Sequence, residues 1–331
     1  MSFLSICIPT YNRARDLKRL LDSIALYGSI YLKSGELEIC ISDNSSNDET
    51  AQVVAEYSGI IKNIKYQRNI TNIGFGLNLY KCIDMSSADY CWMMGDDEIV
   101  TANGLELVLE SAHRKPDIII GNAVANGKLR RFLNVRGKQD FHINSMEDFA
   151  EFLDRCGSTV HLAVFAFISS IILRKSFWLA TESSMYEKKH PYTHMIQICR
   201  NISETETFLT YIDKAIVEVG ISNRNQYNSS AFASFELDVL TIDYILKEIF
   251  TKSMVVHRAY SAFVVRSYTN LRVIRVRAES NSEGWERLLP VLDNLGFNKA
   301  LTRKRAYDFF IVVAFKCTQK IRRWKRLFVE Y

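Results

Sequence analysis

The chain has 331 residues, of which 48% are hydrophobic and 24% charged, with only 14 Gly and 4 Pro. This composition excludes a disordered chain and a fibrous repeat, and the length suits one large domain or two modest ones. The formal net charge is +5, and no window reaches the roughly 20 apolar residues that a membrane-spanning helix needs. The seven widely spaced cysteines, mostly within apolar runs, predict free thiols in a cytoplasmic setting.

Strands and helices are predicted to alternate along the first 125 residues. An apolar run at 3–9 predicts a strand, and leucine and isoleucine spacing over 15–26 predicts a helix. The same unit recurs, with further strands at 37–42, 64–67, 88–94 and 117–120 and further helices at 49–57, 76–85 and 105–111. Alternation at this length predicts an α/β fold with a mostly parallel sheet covered by helices on both faces.

The alternation is less regular after this region and later stops. Residues 126–140 are basic and loop-like, whereas the apolar, β-branched run at 160–173 predicts a strand. Helical periodicity then dominates over three segments: 235–250, 255–277 and 299–328. We therefore predict a catalytic domain at 1–222, with a nucleotide-binding half at 1–125 and an acceptor half at 126–222. A helical C-terminal module is predicted at 223–331.

Polar clusters stand at the ends of three predicted strands. In parallel sheets, ligands bind in the crevice beyond the carboxyl ends of the strands, so these clusters are expected to converge on one edge. They comprise residues 9–13, Asp43, and Asp96 with Asp97.

Asp96 and Asp97 predict a site for a divalent cation. Adjacent carboxylates repel each other unless a cation, water or hydrogen-bond donors compensate, and oxygen ligands suit Mg²⁺ or Mn²⁺. A cation bridging a diphosphate would neutralise the charge that develops on a leaving nucleotide. The alternative interpretation is an ordinary turn or a helix cap.

The other polar residues along this edge predict contacts to a nucleotide. Asp43 can accept a hydrogen bond from a pyrimidine imide or a sugar hydroxyl, or it can form an Asx-type turn with Ser45 and Ser46. The remaining candidates supply a rigid turn, an aromatic face, cations and amides, although those after residue 67 equally suit loop solvation: Pro9, Thr10, Tyr11, Arg13, Arg68, Asn72, Gly74 and Asn78.

The combination is more specific than its parts. The segments at 5–13 (SICIPTYNR), 41–50 (ISDNSSNDET), 72–74 (NIG) and 92–98 (WMMGDDE), in this order and spacing, resemble family 2 glycosyltransferases of the GT-A fold. The resemblance implies a nucleotide-sugar donor, nucleotide-binding roles for Pro9, Tyr11, Arg13 and Asp43, and diphosphate and metal binding at Asp96 and Asp97. Asp97 fits the metal-ligand position best, whereas Gly95 stands where many members have an acid.

The resemblance also implies inversion at the sugar carbon, with a carboxylate base from an acceptor-side loop that often contains a Glu-Asp pair. The matching stretch at 182–195 contains no such pair. A histidine can take a proton from a sugar hydroxyl, so His194 is the first candidate, before His190 and Glu187. The alternatives are histidines without a direct catalytic role, or His194 as a further metal ligand.

The tail at 299–328 carries many basic residues interleaved with aromatic and apolar ones. This pattern suits a helix on an anionic membrane surface, or a helix packed on the catalytic domain with a solvated basic face. Nucleic-acid binding is a poorer interpretation, because no reader motif accompanies the charge. The chain also resembles bacterial transferases of O-antigen and other surface polysaccharides, which implies a lipid-linked oligosaccharide acceptor and, within that group, transfer of a dideoxyhexose.

Three rival functions are weighed against this prediction. A dehydrogenase is opposed by the lack of a Gly-X-Gly-X-X-Gly motif after the first strand. A processive polysaccharide synthase is opposed by the lack of spanning helices and of a Gln-X-X-Arg-Trp segment. A non-catalytic adaptor that binds sugar nucleotides or membranes and retains the fold remains an alternative.

Overall fold

A computed structural model describes residues 2–137, 139–157, 163–220, 230–268 and 270–297. The chain divides into two compact units, Met1–Arg224 and Asn225–Tyr331. The predicted basic helix at 299–328 lies outside the described residues. Within the described residues, no helix is both long enough and apolar enough to cross a bilayer.

The first 125 residues form the predicted alternation. The elements in chain order are β1 (Leu4–Thr10), α1 (Ala14–Ser34), β2 (Leu37–Asp43), α2 (Thr50–Ile60), β3 (Ile64–Arg68), α3 (Phe75–Asp84), β4 (Tyr90–Met93), β5 (Ile99–Val100), α4 (Gly104–Ala112) and β6 (Ile118–Ala125). Every residue of β1, β2 and β4 is buried, as expected for parallel strands that are covered on both faces. On α1, the predicted face of Leu17, Leu20, Leu21 and Ile24 is buried.

The rest of the first unit is more irregular. It comprises β7 (Lys128–Arg130), β8 (Gln139–Ile143), α5 (Met146–Arg155), α6 (Ala163–Ala166), a 3₁₀ turn (Ile168–Ser170), β9 (Ile171–Arg174), α7 (Lys175–Trp178), α8 (Met185–Lys189), α9 (Thr193–Glu204) and β10 (Thr207–Glu218). The basic segment predicted as a loop therefore contains β7 and the start of β8.

The prediction of a strand at 160–173 is wrong for most of the residues that the structure describes in this segment. Only β9, from Ile171 onward, is a strand, and it follows α6 and the 3₁₀ turn. The Ser170 hydroxyl donates to the Phe167 carbonyl at 2.7 Å, and the Trp92 indole donates to the Ser169 carbonyl at 2.9 Å. Such side-chain bonds offer the backbone an alternative to a sheet ladder.

The sheet places several strand ends on one edge. Its order is β3-β2-β1-β4-β9-β6-β10-β5, with β7 paired to β6 and β8 paired to β10. Strands β3, β2, β1 and β4 are parallel, and β10 is parallel to β6. Since β9 is antiparallel to both β4 and β6, β6 runs in the same direction as β1. The predicted α/β fold with a mostly parallel central sheet is confirmed.

The second unit contains four helices in its described part: α10 (Ala231–Glu248), α11 (Met254–Ser267), α12 (Asn270–Glu279) and α13 (Ser282–Asn294). The single helix predicted over 255–277 is divided in two at Tyr268. This residue leaves the helix, and its ring packs edge-on against that of Phe235, with 4.7 Å between the ring centroids. Its hydroxyl donates a hydrogen bond to buried Asp238. Tertiary packing thus overrides the helical periodicity.

Candidate active site

The clusters after β1 and β4 meet at the carboxyl edge of the sheet. The Thr10 hydroxyl donates to Oδ2 of Asp96 at 2.8 Å. Nη1 of Arg13 lies 3.0 Å from Oδ1 of Asp96 and 3.0 Å from Oδ2 of Asp97, so one guanidinium nitrogen bridges both carboxylates. Asp96 is buried and Asp97 is partly exposed.

Burial disfavours the charged form of two carboxyl groups in the acidic motif, which we define as Asp96, Asp97 and Glu98. Burial raises the pKa of Asp96 to about 7; Arg13 opposes this shift and the Asp97 carboxylate adds to it. Burial and then the charge of Asp97 raise the pKa of Glu98 to about 8. A carboxyl group takes a raised pKa when its charged form lacks solvent or a cation.

Residues far along the chain support this motif, and sequence reasoning did not assign them to the site. The Gly95 amide donates to Ser169 Oγ at 3.0 Å, and the Gly220 amide donates to Oε2 of Glu98 at 3.1 Å. A Cβ atom on Gly220 would lie 1.4 Å from the Asp97 carbonyl oxygen, so only glycine fits there. Glu98 itself could have been recognised as the third acid in a row.

Asp43 ends β2, next to the end of β1, and is fully buried. Its Oδ1 accepts from the Ser46 amide at 2.8 Å, which is a local turn of the kind weighed as the alternative. Its Oδ2 accepts from the Tyr66 hydroxyl at 2.7 Å and lies 3.8 Å from Nε of the half-exposed Arg68. Asp43 therefore organises this edge of the sheet.

The other residues predicted to contact a nucleotide differ in exposure. Pro9 is buried within β1, whereas the Tyr11 side chain is exposed beyond the strand end. Asn72 and Gly74 are exposed, and Asn72 accepts from Asn44 at 2.8 Å and from the Gly74 amide at 2.9 Å. Asn78, in contrast, is buried and hydrogen-bonds to Ser42 and Asn69. These residues surround the end of β2, but Asn78 is directed into the protein.

In the acceptor-side stretch, Glu187 and His190 are engaged locally. Glu187 forms a capping box with Ser184 at the start of α8 and an ion pair with Arg200. Burial alone would raise the pKa of Glu187, but these contacts outweigh it and hold the pKa below its usual value. Nδ1 of His190 accepts from the Tyr192 amide at 3.0 Å, and burial lowers the pKa of His190.

His194 lies at the start of α9 and is buried. Its Nε2 lies 3.2 Å from the Ala166 carbonyl. Because a carbonyl only accepts, this contact assigns the proton to Nε2 and leaves a lone pair on Nδ1. Nδ1 has no hydrogen-bond partner among the described residues. Burial lowers the pKa of His194 to about 4, so the ring is neutral at physiological pH.

Ala166 connects His194 to the acidic motif along the chain. It is the last residue of α6, and the 3₁₀ turn that follows carries Ser169, which binds the Gly95 amide. No group of three or more His, Cys, Asp or Glu side chains within the described ranges is arranged to hold a metal ion.

Comparison with known proteins identifies the fold and the family. Residues 5–177 match the family described as glycosyl transferase family 2, which is more than half of the chain. The chain belongs to glycosyl transferase family 2. The predicted resemblance and enzyme class are therefore confirmed. The matched region of this family 2 glycosyltransferase contains Thr10, Arg13, Asp43 and the acidic motif but ends before the stretch at 182–195.

Two curated relatives of this family 2 glycosyltransferase differ in how much of it they match. The abequosyltransferase RfbV of Salmonella typhimurium is 26% identical over 308 residues, covering 89% of this chain and 90% of the relative. The GalNAc(5)-diNAcBac-PP-undecaprenol beta-1,3-glucosyltransferase of Campylobacter jejuni is 28% identical over 153 residues, covering 45% of this chain and 48% of the relative. The first similarity therefore extends through both units, and the second covers less than half.

A solved structure agrees with the GT-A architecture. The S. aureus TarS 1–349 structure in complex with UDP-GlcNAc matches 94% of this family 2 glycosyltransferase and 89% of that chain, with a TM-score of 0.60 at 16% identity. At this identity the comparison shows the fold. The predicted GT-A fold is thereby confirmed.

Proposed function

We propose that this family 2 glycosyltransferase moves a sugar from a nucleotide-sugar donor to a hydroxyl group of a saccharide acceptor by a single displacement with inversion. The observation that carries the proposal is the convergence of Thr10, Arg13, Asp96 and Asp97 at the carboxyl ends of β1 and β4. Ligands of parallel sheets bind beyond the carboxyl ends of the strands, so this convergence of cationic and anionic groups supports a donor-diphosphate site there. Asp43 and Tyr11, at the neighbouring strand ends, would face the nucleoside.

A divalent cation fits the acidic motif. Burial, with a smaller contribution from the charge of Asp97, raises the pKa values of Asp96 to about 7 and of Glu98 to about 8. A bound cation would stabilise the ionised forms that burial disfavours. Asp97 and Asp96 would hold Mg²⁺ or Mn²⁺ through hard oxygen ligands, and donor phosphate oxygens and water would complete the shell. When bound, such a cation stabilises the negative charge of the departing nucleoside diphosphate.

The protein's own groups would bind and orient the donor. Arg13 supplies a planar guanidinium that suits phosphate oxygens, and Thr10 keeps Asp96 oriented through its hydrogen bond. Asp43 is fully buried beneath its hydrogen-bond partners, so a direct contact to a nucleotide imide requires Ser46 or Tyr66 to move aside. The exposed Tyr11 ring and the half-exposed Arg68 are the more accessible groups for a base.

His194 is the proposed base. Its ring is neutral and its Nδ1 carries a lone pair that has no partner among the described residues, as a base requires. This atom is buried, so an acceptor hydroxyl would reach it only after the neighbouring side chains or backbone move. Glu187 is a weaker candidate, because Arg200 and the α8 cap stabilise its charged form. His190 is second, since its Nδ1 already accepts from the Tyr192 amide.

The acceptor is proposed to be a lipid-linked oligosaccharide of O-antigen or another surface polysaccharide. The relative matched through both units is named an abequosyltransferase, and the C. jejuni relative is named for an undecaprenol-diphosphate acceptor. A dideoxyhexose donor is therefore the first choice to test. Peripheral membrane binding through the tail at 299–328 stays a prediction.

The test combines donor binding with turnover. A panel of nucleoside diphosphates and sugar nucleotides is screened by thermal shift with and without Mn²⁺; a true donor at 100 times its Kd stabilises the protein by about 2.7 kcal/mol. Transfer is then measured with a lipid-linked acceptor. Asp97→Asn should reduce turnover by about 10²-fold or more while the protein still folds and unfolds cooperatively. The exposed Asp89→Asn, outside the site, is the matched control.

Two results would overturn parts of the proposal. Near-normal turnover of Asp97→Asn would remove Asp97 from the proposed metal site. Donor binding by the wild-type protein with no turnover, given a competent acceptor, would favour the non-catalytic adaptor instead.

A further inference from the structure

A positively charged side chain, Arg13, already lies against the acidic motif. Nη1 of Arg13 lies 3.0 Å from a carboxylate oxygen of both Asp96 and Asp97, and its side chain is 12% exposed. One nitrogen thus uses one oxygen of each of the two carboxylates proposed to hold the cation. An ion that binds the same two oxygens would be only a few ångströms from Nη1, and two positive groups at that separation repel each other.

We propose that Arg13 and the divalent cation compete for Asp96 and Asp97, and that the donor diphosphate resolves the competition by drawing the guanidinium to its own phosphate oxygens. This inference rests on the cation site of the proposed function and adds that the cation binds tightly only together with the donor diphosphate. The free enzyme binds the cation weakly, and cation and nucleoside diphosphate bind cooperatively. Arginine suits both partners, because its planar fork matches carboxylate and phosphate geometry.

The backbone around Arg13 is held in place, so the exchange is a movement of the side chain. The Asn12 amide donates to Ser46 Oγ at 2.9 Å, and Oδ1 of Asn12 accepts from the Asn47 amide at 2.8 Å. On the other side, the Ala14 amide donates to Asp48 at 2.9 Å. Both flanks of Arg13 are therefore tied to the loop after β2, and the long side chain alone can change partners.

The test measures Mn²⁺ binding directly, by electron paramagnetic resonance of the free ion or by calorimetry, so that it does not depend on activity. The wild-type protein alone should bind Mn²⁺ at least tenfold more weakly than it does in the presence of saturating UDP, with GDP and CDP tested in parallel. Arg13→Gln should bind Mn²⁺ at least tenfold more tightly than wild type without nucleotide, and should lose most of the cooperativity. Arg19→Ala, which removes a cation of α1 paired with Asp16, is the matched control and should behave as wild type.

The outcomes separate this inference from the cation site itself. If wild-type protein binds Mn²⁺ equally well with and without nucleotide, or if Arg13→Gln leaves the affinity unchanged, Arg13 does not compete and the cation site stands. If neither protein binds Mn²⁺ with any of the nucleotides, the cation site is refuted together with the competition. Glycosyl transfer without added metal, measured separately, would still support the enzymatic function.

Discussion

Asp96→Asn should stabilise the metal-free protein at alkaline pH while abolishing transfer. Asp96 is buried, and its pKa is raised to about 7 from an ordinary value of 3.8. A carboxyl group whose folded pKa is raised stabilises the fold fully only below its unfolded pKa, and this contribution is lost as the pH rises through the folded pKa. Above pH 7 the native state therefore holds an ionised Asp96 at a cost that a neutral amide avoids.

The size of the effect follows from the pKa of Asp96. Between pH 5 and about pH 7 the folded protein keeps the Asp96 proton and the unfolded chain does not. Each of these two pH units changes the free energy of unfolding by about 1.4 kcal/mol, so the advantage of Asn over Asp should grow by about 3 kcal/mol from pH 5 to pH 8. For a unit of this size, about 3 kcal/mol corresponds to roughly 6–12 °C in Tm.

The assay is thermal or urea unfolding in EDTA at pH 5 and pH 8, comparing wild type, Asp96→Asn and the exposed Asp89→Asn. The amide can still accept from Arg13 and can pair with the Thr10 hydroxyl, so both present contacts have a substitute. Comparing each variant at two pH values cancels effects of the substitution that do not depend on titration. An Asn advantage that is equal at both pH values, or a variant destabilised more at pH 8, would refute the electrostatic reasoning.

Two further substitutions test other parts of the site. His194→Ala should lower kcat by about 10²–10⁴-fold with little change in donor affinity. The control is His257→Ala, which also removes a histidine bound to a backbone carbonyl. A kcat of His194→Ala equal to that of wild type would move the role of the base to His190 or Glu187. Gly220→Ala places a methyl group against the Asp97 carbonyl and should reduce transfer at least tenfold and stability by about 1–3 kcal/mol. The control is Gly59→Ala on α2, where open space surrounds the glycine, and it should leave transfer and stability unchanged. If Gly220→Ala also leaves transfer and stability unchanged, the contact with the Asp97 carbonyl is unimportant.

The first half of the fold was predictable because its physical signals are local. Strands β1, β2 and β4 are rich in β-branched, aromatic and other apolar residues, and every residue in them is buried. Because these strands are parallel, the residues at their carboxyl ends, Thr10, Asp43 and Asp96, lie along one edge, and this can be expected before any contact is known. The bridging position of Arg13 could not be predicted in this way, because it depends on a side-chain conformation. The proposed cation and base remain predictions from residue type and placement.

The second half shows where local signals stop being sufficient. Strand β10 is twelve residues long, mixes polar with apolar residues and shifts register against β6, so it shows no regular alternation. The contact between Glu98 and Gly220 joins residues 122 positions apart. Neither residue type nor spacing near Glu98 signals that a glycine at the end of the sheet will hold it.

Gly95, which stands where an Asp-X-Asp pattern would have an acid, has close neighbours in the structure. A Cβ atom on Gly95 would lie 3.3 Å from both Ser169 Oγ and Asp97 Oδ1, so an acid at position 95 would require both side chains to shift by a few tenths of an ångström. Glu98, on the other side of Asp97 in the chain, supplies a third carboxylate, and its Oε2 accepts from the Gly220 amide. When all three acids are ionised, they and Arg13 leave two net negative charges. A single divalent ion would neutralise that charge, and a donor diphosphate would then give Arg13 a new partner.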